Sequence, residues 1–239
     1  LRTSLLPGQL KVVAYNQSHR VEDLRFFEIG HVFLDSPDEV LPDEREHLSV
    51  ALVGVHVSEM VDLLYVLGSE LALPNLQLAS KELSGMHPGR AAEILVAGKP
   101  SGVIGEVDPR VLMSYGIDGR VAWLELNLGK ILSGPLGKRS YRSVSKYPSS
   151  DVDLAFDVPE SVTSASILGC LRKAGSDLLQ QVKLFDTYSG SATEEGHRSL
   201  AYRLRFQASD RTLTDDEVSA LRSKCIQLVE EKTDARLRL

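Results

Sequence analysis

The chain has 239 residues, 43% hydrophobic and 25% charged, enough for two domains that each bury a core, which excludes a disordered or fibrous polypeptide. No apolar run of about 18 residues exists to cross a bilayer, and two cysteines cannot staple the fold, so a reducing, cytoplasmic setting is expected. A formal net charge of −6 excludes a protein that grips nucleic acid mainly by bulk positive charge. The charge is uneven: residues 1–140 carry 13 cationic against 18 acidic side chains, residues 141–239 carry 14 against 15. The first residue is Leu1 with no charged-then-apolar leader, so an export signal is not expected and a chain cut from something longer is.

Residues 4–19 place Leu6, Leu10, Val13 and Ala14 at helical spacing behind Pro7, predicting a helix. Leu24–Phe33, broken at Gly30, and His47–Val57 are predicted as neighbouring antiparallel strands across the polar loop Asp35–Glu46. A helix over Val61–Leu73 stops before Pro74, and short strands follow near 75–80, 91–97, 101–107 and 121–127. Residues 1–135 are therefore expected to form a mixed sheet with a few helices. The Ser, Gly, Pro and basic stretch 136–147 is expected to be a linker, with a second domain over 148–239.

In that second domain Val152, Leu154 and Phe156 alternate with Asp153, Ala155 and Asp157, predicting a strand with one apolar face. A helix over 164–175 is capped by Thr163 or Ser164 and ends at Gly175. Strands Leu178–Tyr188 and Ser199–Gln207 flank the loop 189–198, a helix over Thr214–Lys232 opens with a Thr214–Glu217 capping box, and Asp234–Leu239 supplies a last strand. The order βαββαβ is the ferredoxin-like plan, an α+β fold with helices on one sheet face only. If Leu200, Tyr202, Leu204 and Phe206 meet the helices, then Ser199, Ala201, Arg203 and Arg205 lie on the bare side with Asp153, Ala155 and Asp157. Lys183, Arg203, Arg205, Arg236 and Arg238 then offer charge to phosphate, and Tyr188 offers a ring to a base. The same alternation equally fits a solvated face whose arginines pair with Asp153, Asp157 and Asp186.

A search for chemistry returns little. The six histidines, at 19, 31, 47, 56, 87 and 197, include no i, i+4 pair and no cysteine partners at zinc spacing, so no metal site is expected. No nucleophile elbow, P-loop or dinucleotide fingerprint is present. A Glu28–His31 dyad and an anion turn at His87–Arg90 are open readings, with a structural histidine and a plain strand-entry turn favoured. Both cysteines are expected to act as small core hydrophobes.

Taken in order, Leu1–Gly8, Phe27-Glu28-Ile29-Gly30-His31-Val32-Phe33, His87-Pro88-Gly89-Arg90-Ala91-Ala92 and Gly102-Val103-Ile104-Gly105-Glu106-Val107 resemble the C-terminal half of the bacterial phenylalanyl-tRNA synthetase beta subunit. Tyr147-Pro148, Asp151–Phe156, Leu184–Gly190, His197–Leu204 and Arg211–Val218 resemble its ferredoxin-fold anticodon-binding domain. The resemblance implies a class II synthetase-like first domain that has lost catalysis, a scaffold beside a catalytic alpha subunit in an alpha-two beta-two heterotetramer, and aminoacylation of tRNA(Phe) with ATP and magnesium used by the whole enzyme. It implies no cofactor, metal or catalytic residue in this chain, and no proofreading. Arg2 resembles a motif-two arginine, and Val121–Lys130 lacks the ATP-binding arginine of catalytic cores. For the anticodon it implies contacts at Ala155, Tyr188 and Ser199, with Lys183 and Arg205 beside them and Arg203 either on phosphate or paired with Asp153. A stand-alone ferredoxin-like regulatory or interaction protein is the alternative; a subunit scaffold should show an exposed apolar patch and a regulator should not.

Overall fold

The computed structural model describes residues 1–21, 23–37, 39–134, 137, 145–190 and 193–238. It divides into two compact units, Leu1–Arg139 and Ser140–Leu239. The linker expected over 136–147 lies outside the described residues, apart from Gly137 and residues 145–147.

The first unit is built on a six-stranded antiparallel sheet in the order β1-β2-β6-β5-β4-β3. Its strands are β1 (Arg25–Leu34), β2 (Asp43–Val53), β3 (Gln77–Ser80), β4 (Met86–Val96), β5 (Lys99–Val107) and β6 (Val121–Asn127). Helix α1 (Leu6–Ser18) sets Leu10 and Val13 against Ala51, Val53, Val121 and Trp123 on one side. On the other, Met60 and Leu64 of α2 (Val57–Glu70) and Ile131 of α4 (Leu128–Leu132) cover Val50, Leu52, Leu124 and Leu126. Helix α2 starts four residues before the expected Val61.

Three features depart from the sequence-based expectation. Strand β1 runs through Gly30 unbroken: a Cβ there would collide with the Arg2 guanidinium, which donates to the His31 carbonyl at 2.8 Å and to Glu28 at 2.7 Å. The glycine makes room for a side chain instead of ending a strand. Residues His87–Arg90 belong to β4 and carry a register shift against β5, so the turn expected there is a bulged strand. The short helices α3 (Pro109–Ser114) and α4 were not foreseen, though Asp108 accepts from the Arg110 amide with Pro109 at the first helical turn, and Asn127 accepts from the Lys130 amide.

The second unit is a four-stranded antiparallel sheet ordered β10-β7-β9-β8, where β7 is Ser150–Pro159, β8 Leu179–Tyr188, β9 His197–Phe206 and β10 Arg236–Leu237. Helices α5 (Ser164–Gly175) and α6 (Asp215–Lys232) lie on one face, where Leu154, Phe156, Val158, Leu200, Tyr202, Leu204 and Phe206 meet Ile167, Leu171, Cys225 and Val229. Burial pushes the Cys225 thiol up to about 11, as suits a cysteine used as a core hydrophobe, and raises the half-buried Cys170 as well. Thr163 is the α5 cap, and the Thr214–Glu217 capping box on α6 forms in both directions. Thr214→Ala removes one half of that box and is expected to cost about 1 kcal/mol, read as a lower urea midpoint of the unit's far-ultraviolet circular dichroism with unchanged slope. Among the described residues the last strand covers Arg236–Leu237 of the expected Asp234–Leu239, and the Arg238 amide donates to the Ala155 carbonyl of β7 at 2.8 Å.

Candidate nucleic-acid interface

Cross-strand register puts the second unit's other face into rows. Asp151, Arg205 and Gln181 stand abreast on β7, β9 and β8; Asp153, Arg203 and Lys183 form the next row, Ala155, Ala201 and Asp186 the third, and Asp157, Ser199 and Tyr188 the fourth. Among the described residues of this unit both long helices pack on the opposite face. The candidates Ala155, Lys183, Tyr188, Ser199, Arg203 and Arg205 are thus brought onto one surface, Ala155, Ser199, Arg203 and Arg205 as alternation predicts and Tyr188 by a register slip in β8.

The electrostatics of that surface are more settled than the alternation suggests. Arg203 grips Asp153 through two parallel bonds, Nε at 2.8 Å and Nη2 at 2.7 Å, and Arg205 grips Asp151 in the same way at 2.8 and 2.7 Å. Planar forks of this kind are preorganised. The hydrogen bonds from Arg203 and Arg205 hold the Asp153 and Asp151 carboxyls below the ordinary carboxylate range. A depressed carboxyl contributes above its unfolded pKa of about 3.9 and is lost only as pH falls through the lower folded value, so both clamps persist across neutral pH. Exposed pairs of this kind add little stability. Their effect is to neutralise the face and to fix two guanidinium planes.

One of those planes has a partner that the sequence reading passed over. Strand β8 slips register between Leu184 and Asp186, and the extra residue, Phe185, is 48% exposed with its ring 5.0 Å from Arg203 Cζ. Two rings then share the surface, because Tyr188 on the far side of the bulge is 43% exposed. Gly190 allows the Tyr188 ring to fold back over the loop: a Cβ there would sit 2.6 Å from the phenol oxygen. Ser199 departs from the expectation of an accessible hydroxyl, for between Asp157 and Tyr188 it retains only 7% exposure.

In the first unit the arginines named from sequence are committed. Arg2 holds Glu28 and the His31 carbonyl, so no Glu28–His31 dyad forms, and Arg90 donates to the buried Glu106 at 2.8 Å. His31 instead sits 3.9 Å from Glu44. Glu125, buried beneath the chain's first residues, accepts from Ser4 Oγ, the Leu5 amide and His47 Nδ1. With Arg2 tied and both Glu125 oxygens engaged, these residues do not fit ATP or the magnesium it carries.

Comparison with known proteins gives both units a lineage. Residues 1–128 match the family model described as the phenylalanyl tRNA synthetase beta chain CLM domain. The chain belongs to the phenylalanyl-tRNA synthetase beta-chain family. Residues 145–238 match the ferredoxin-fold anticodon binding domain. The phenylalanine–tRNA ligase beta subunit of Symbiobacterium thermophilum is 37% identical over 94% of this chain and 27% of its own length. Those of Lactiplantibacillus plantarum and Streptococcus agalactiae are 33% and 35% identical over 100% of this chain and 31% and 32% of theirs. The chain therefore spans about three tenths of the length of the curated relatives it matches. A pyrrolysyl tRNA synthetase structure from Desulfitobacterium hafniense overlays at a TM-score of 0.45 and 15% identity, over 55% of this chain and 49% of that one, a likeness too low to carry weight. No helix among the described residues is long and apolar enough to cross a membrane.

Proposed function

We propose that this beta-chain segment carries the anticodon-contacting surface of a cytoplasmic phenylalanine–tRNA ligase and scaffolds its alpha subunit. In this reading the assembly is alpha-two beta-two, the alpha subunit uses ATP and magnesium to charge tRNA(Phe), and this segment supplies no catalytic residue. The observation that carries the reading is the neutralised open face of the second unit, where the Phe185 ring stands beside Arg203 and its Asp153 clamp and the exposed Tyr188 ring lies two rows further along. Such a surface suits splayed, unpaired bases better than a bare phosphate backbone, because rings stack on any base while the two forks are already occupied. Ala155 adds room for close approach, and Lys183 and Arg205 the charged rim, whereas the buried Ser199 hydroxyl sits beneath the surface. The scaffold role draws on edge strand β1, which presents Phe27 at 67% and Ile29 at 54% exposure, an apolar edge that a free-standing regulator would have reason to avoid.

A titration of the chain with tRNA(Phe), and with the same tRNA carrying replaced anticodon bases, tests the proposal. Replacement is expected to weaken binding at least tenfold, about 1.4 kcal/mol, with a shallow dependence on salt. Arg203→Glu should then leave the salt slope unchanged, where loss of one phosphate contact would reduce it by about 0.7–0.9, since its fork serves Asp153 and its plane Phe185. Equal affinity for both tRNAs with a steep salt slope would show a phosphate-binding surface and overturn the reading.

A further inference from the structure

At the end of the open face, beside the loop between β8 and β9, three potential ligand groups converge. Asp157 of β7, Glu194 of that loop and His197 at the start of β9 each bring one donor atom to within 4.8 Å of the other two. Register accounts for two of them: Ser199 pairs with Asp157 and His197 with Pro159, so Asp157 and His197 are diagonal neighbours on one face. The loop supplies the third, because the His197 amide donates to the Glu194 carbonyl at 3.0 Å and the Glu160 amide donates to the Gly196 carbonyl at 2.9 Å.

Two further observations point to an occupant. Asp157 Oδ1 is shut off from solvent and has no hydrogen-bond partner, a costly condition for a carboxylate oxygen that a cation relieves. Its neighbour on β10, Arg236, lines a groove along α6 with Gln227, Glu230 and Glu231. His197 Nδ1 lies 3.3 Å from the Glu195 carbonyl, which can only accept. Nδ1 therefore acts as the donor and Nε2 is the nitrogen left for a ligand, the arrangement of a metal-bound imidazole steadied through its second nitrogen.

The geometry points to a divalent transition-metal site held by Asp157, Glu194 and His197, with zinc as the best-matched ion and water completing the coordination. One imidazole with two carboxylates favours zinc over magnesium or calcium, which take oxygen donors. Ligands about 2.0–2.2 Å from zinc stand roughly 3.3 Å apart in a tetrahedron, so the groups must close by about 1.5 Å at most. The exposed, flexible Glu194 side chain can supply that movement. Bound metal would fasten the loop to β7 across β9 and place positive charge next to Ser199 and Tyr188. The inference stands whether or not the face binds RNA.

Calorimetric titration of the 239-residue chain with zinc chloride, and separately with magnesium chloride, tests it. One zinc per chain is expected, with no saturable magnesium binding. His197→Ala, Asp157→Asn and Glu194→Gln should each weaken zinc at least tenfold, while His31→Ala, which removes an exposed histidine near Glu44, should leave it unchanged. Glu194 lies on an exposed loop, so its variant carries the test if the Asp157 variant fails to fold. Absence of stoichiometric zinc binding, or equal affinity in His197→Ala and Glu194→Gln, would overturn the site and leave a hydrogen-bonded surface cluster.

Discussion

Glu125→Ala is expected to lower the unfolding free energy of the first unit by about 3–5 kcal/mol, the range for breaking a buried charged network from one side. Glu125 is only 5% exposed and receives three donors: Ser4 Oγ at 2.8 Å, the Leu5 amide at 3.1 Å and His47 Nδ1. Helix α1 has no capping side chain of its own at Leu5, so the β6 carboxylate satisfies a free amide at the positive end of that helix. Alanine would leave the buried Leu5 amide and the part-buried Ser4 Oγ and His47 Nδ1 without this acceptor, at about 1–3 kcal/mol for a donor sealed from water. Trp123 is the one tryptophan in the chain and lies in this unit's core, so its fluorescence during urea unfolding reports the first unit selectively. Glu125→Gln retains an acceptor and should recover part of the loss. A fall below about 1 kcal/mol in the alanine variant would show that the carboxylate does not hold α1 to the sheet.

Tyr188→Ala and Phe185→Ala are each expected to weaken tRNA(Phe) binding by about 1–3 kcal/mol, roughly 5- to 150-fold, the range for one base stacked on one ring. Both side chains are about half exposed and outside the second unit's core, so the circular dichroism of that unit should not change. Anisotropy titration with a labelled anticodon stem-loop measures the effect directly. The two losses should differ in one respect. Removing Phe185 also strips the Arg203 guanidinium of its ring partner, so Arg203→Ala on that background should add less than it does on the parent. Parent-like affinity in both single variants would remove the stacking surface from the account.

Local signals were the readable ones. The α5 boundaries, a cap at Thr163 or Ser164 and the Thr214–Glu217 box are legible because each is decided within four residues, and the structure assigns the cap to Thr163. Strand alternation likewise assigned the open-face residues. It failed at the bulge: parity places Phe185 with Lys183 but sets Tyr188 on the opposite face, and only the slip after Leu184 returns Tyr188 to the same surface. Burial of Ser199 depends on neighbours from two other strands and has no local signature. Long-range polar contacts were equally hidden: His47 and Glu125 meet across 78 positions, and Asp157 and His197 are brought together by the β7–β9 ladder, with Glu194 joining them from the loop.

The cap on α1 also sets a timetable for the newborn chain. Leu5 waits for an acceptor 120 positions downstream, an interval of about 6–24 s at a ribosome adding 5–20 residues per second. Throughout that time the Leu5 amide lacks its acceptor and Val121 and Trp123 are missing from the surface on which Leu10 and Val13 pack, so part of the helix's apolar stripe is available to chaperones or to premature clumping. Slowing translation beyond β6 would therefore leave this step untouched, whereas slowing it before β6 would prolong the vulnerable window.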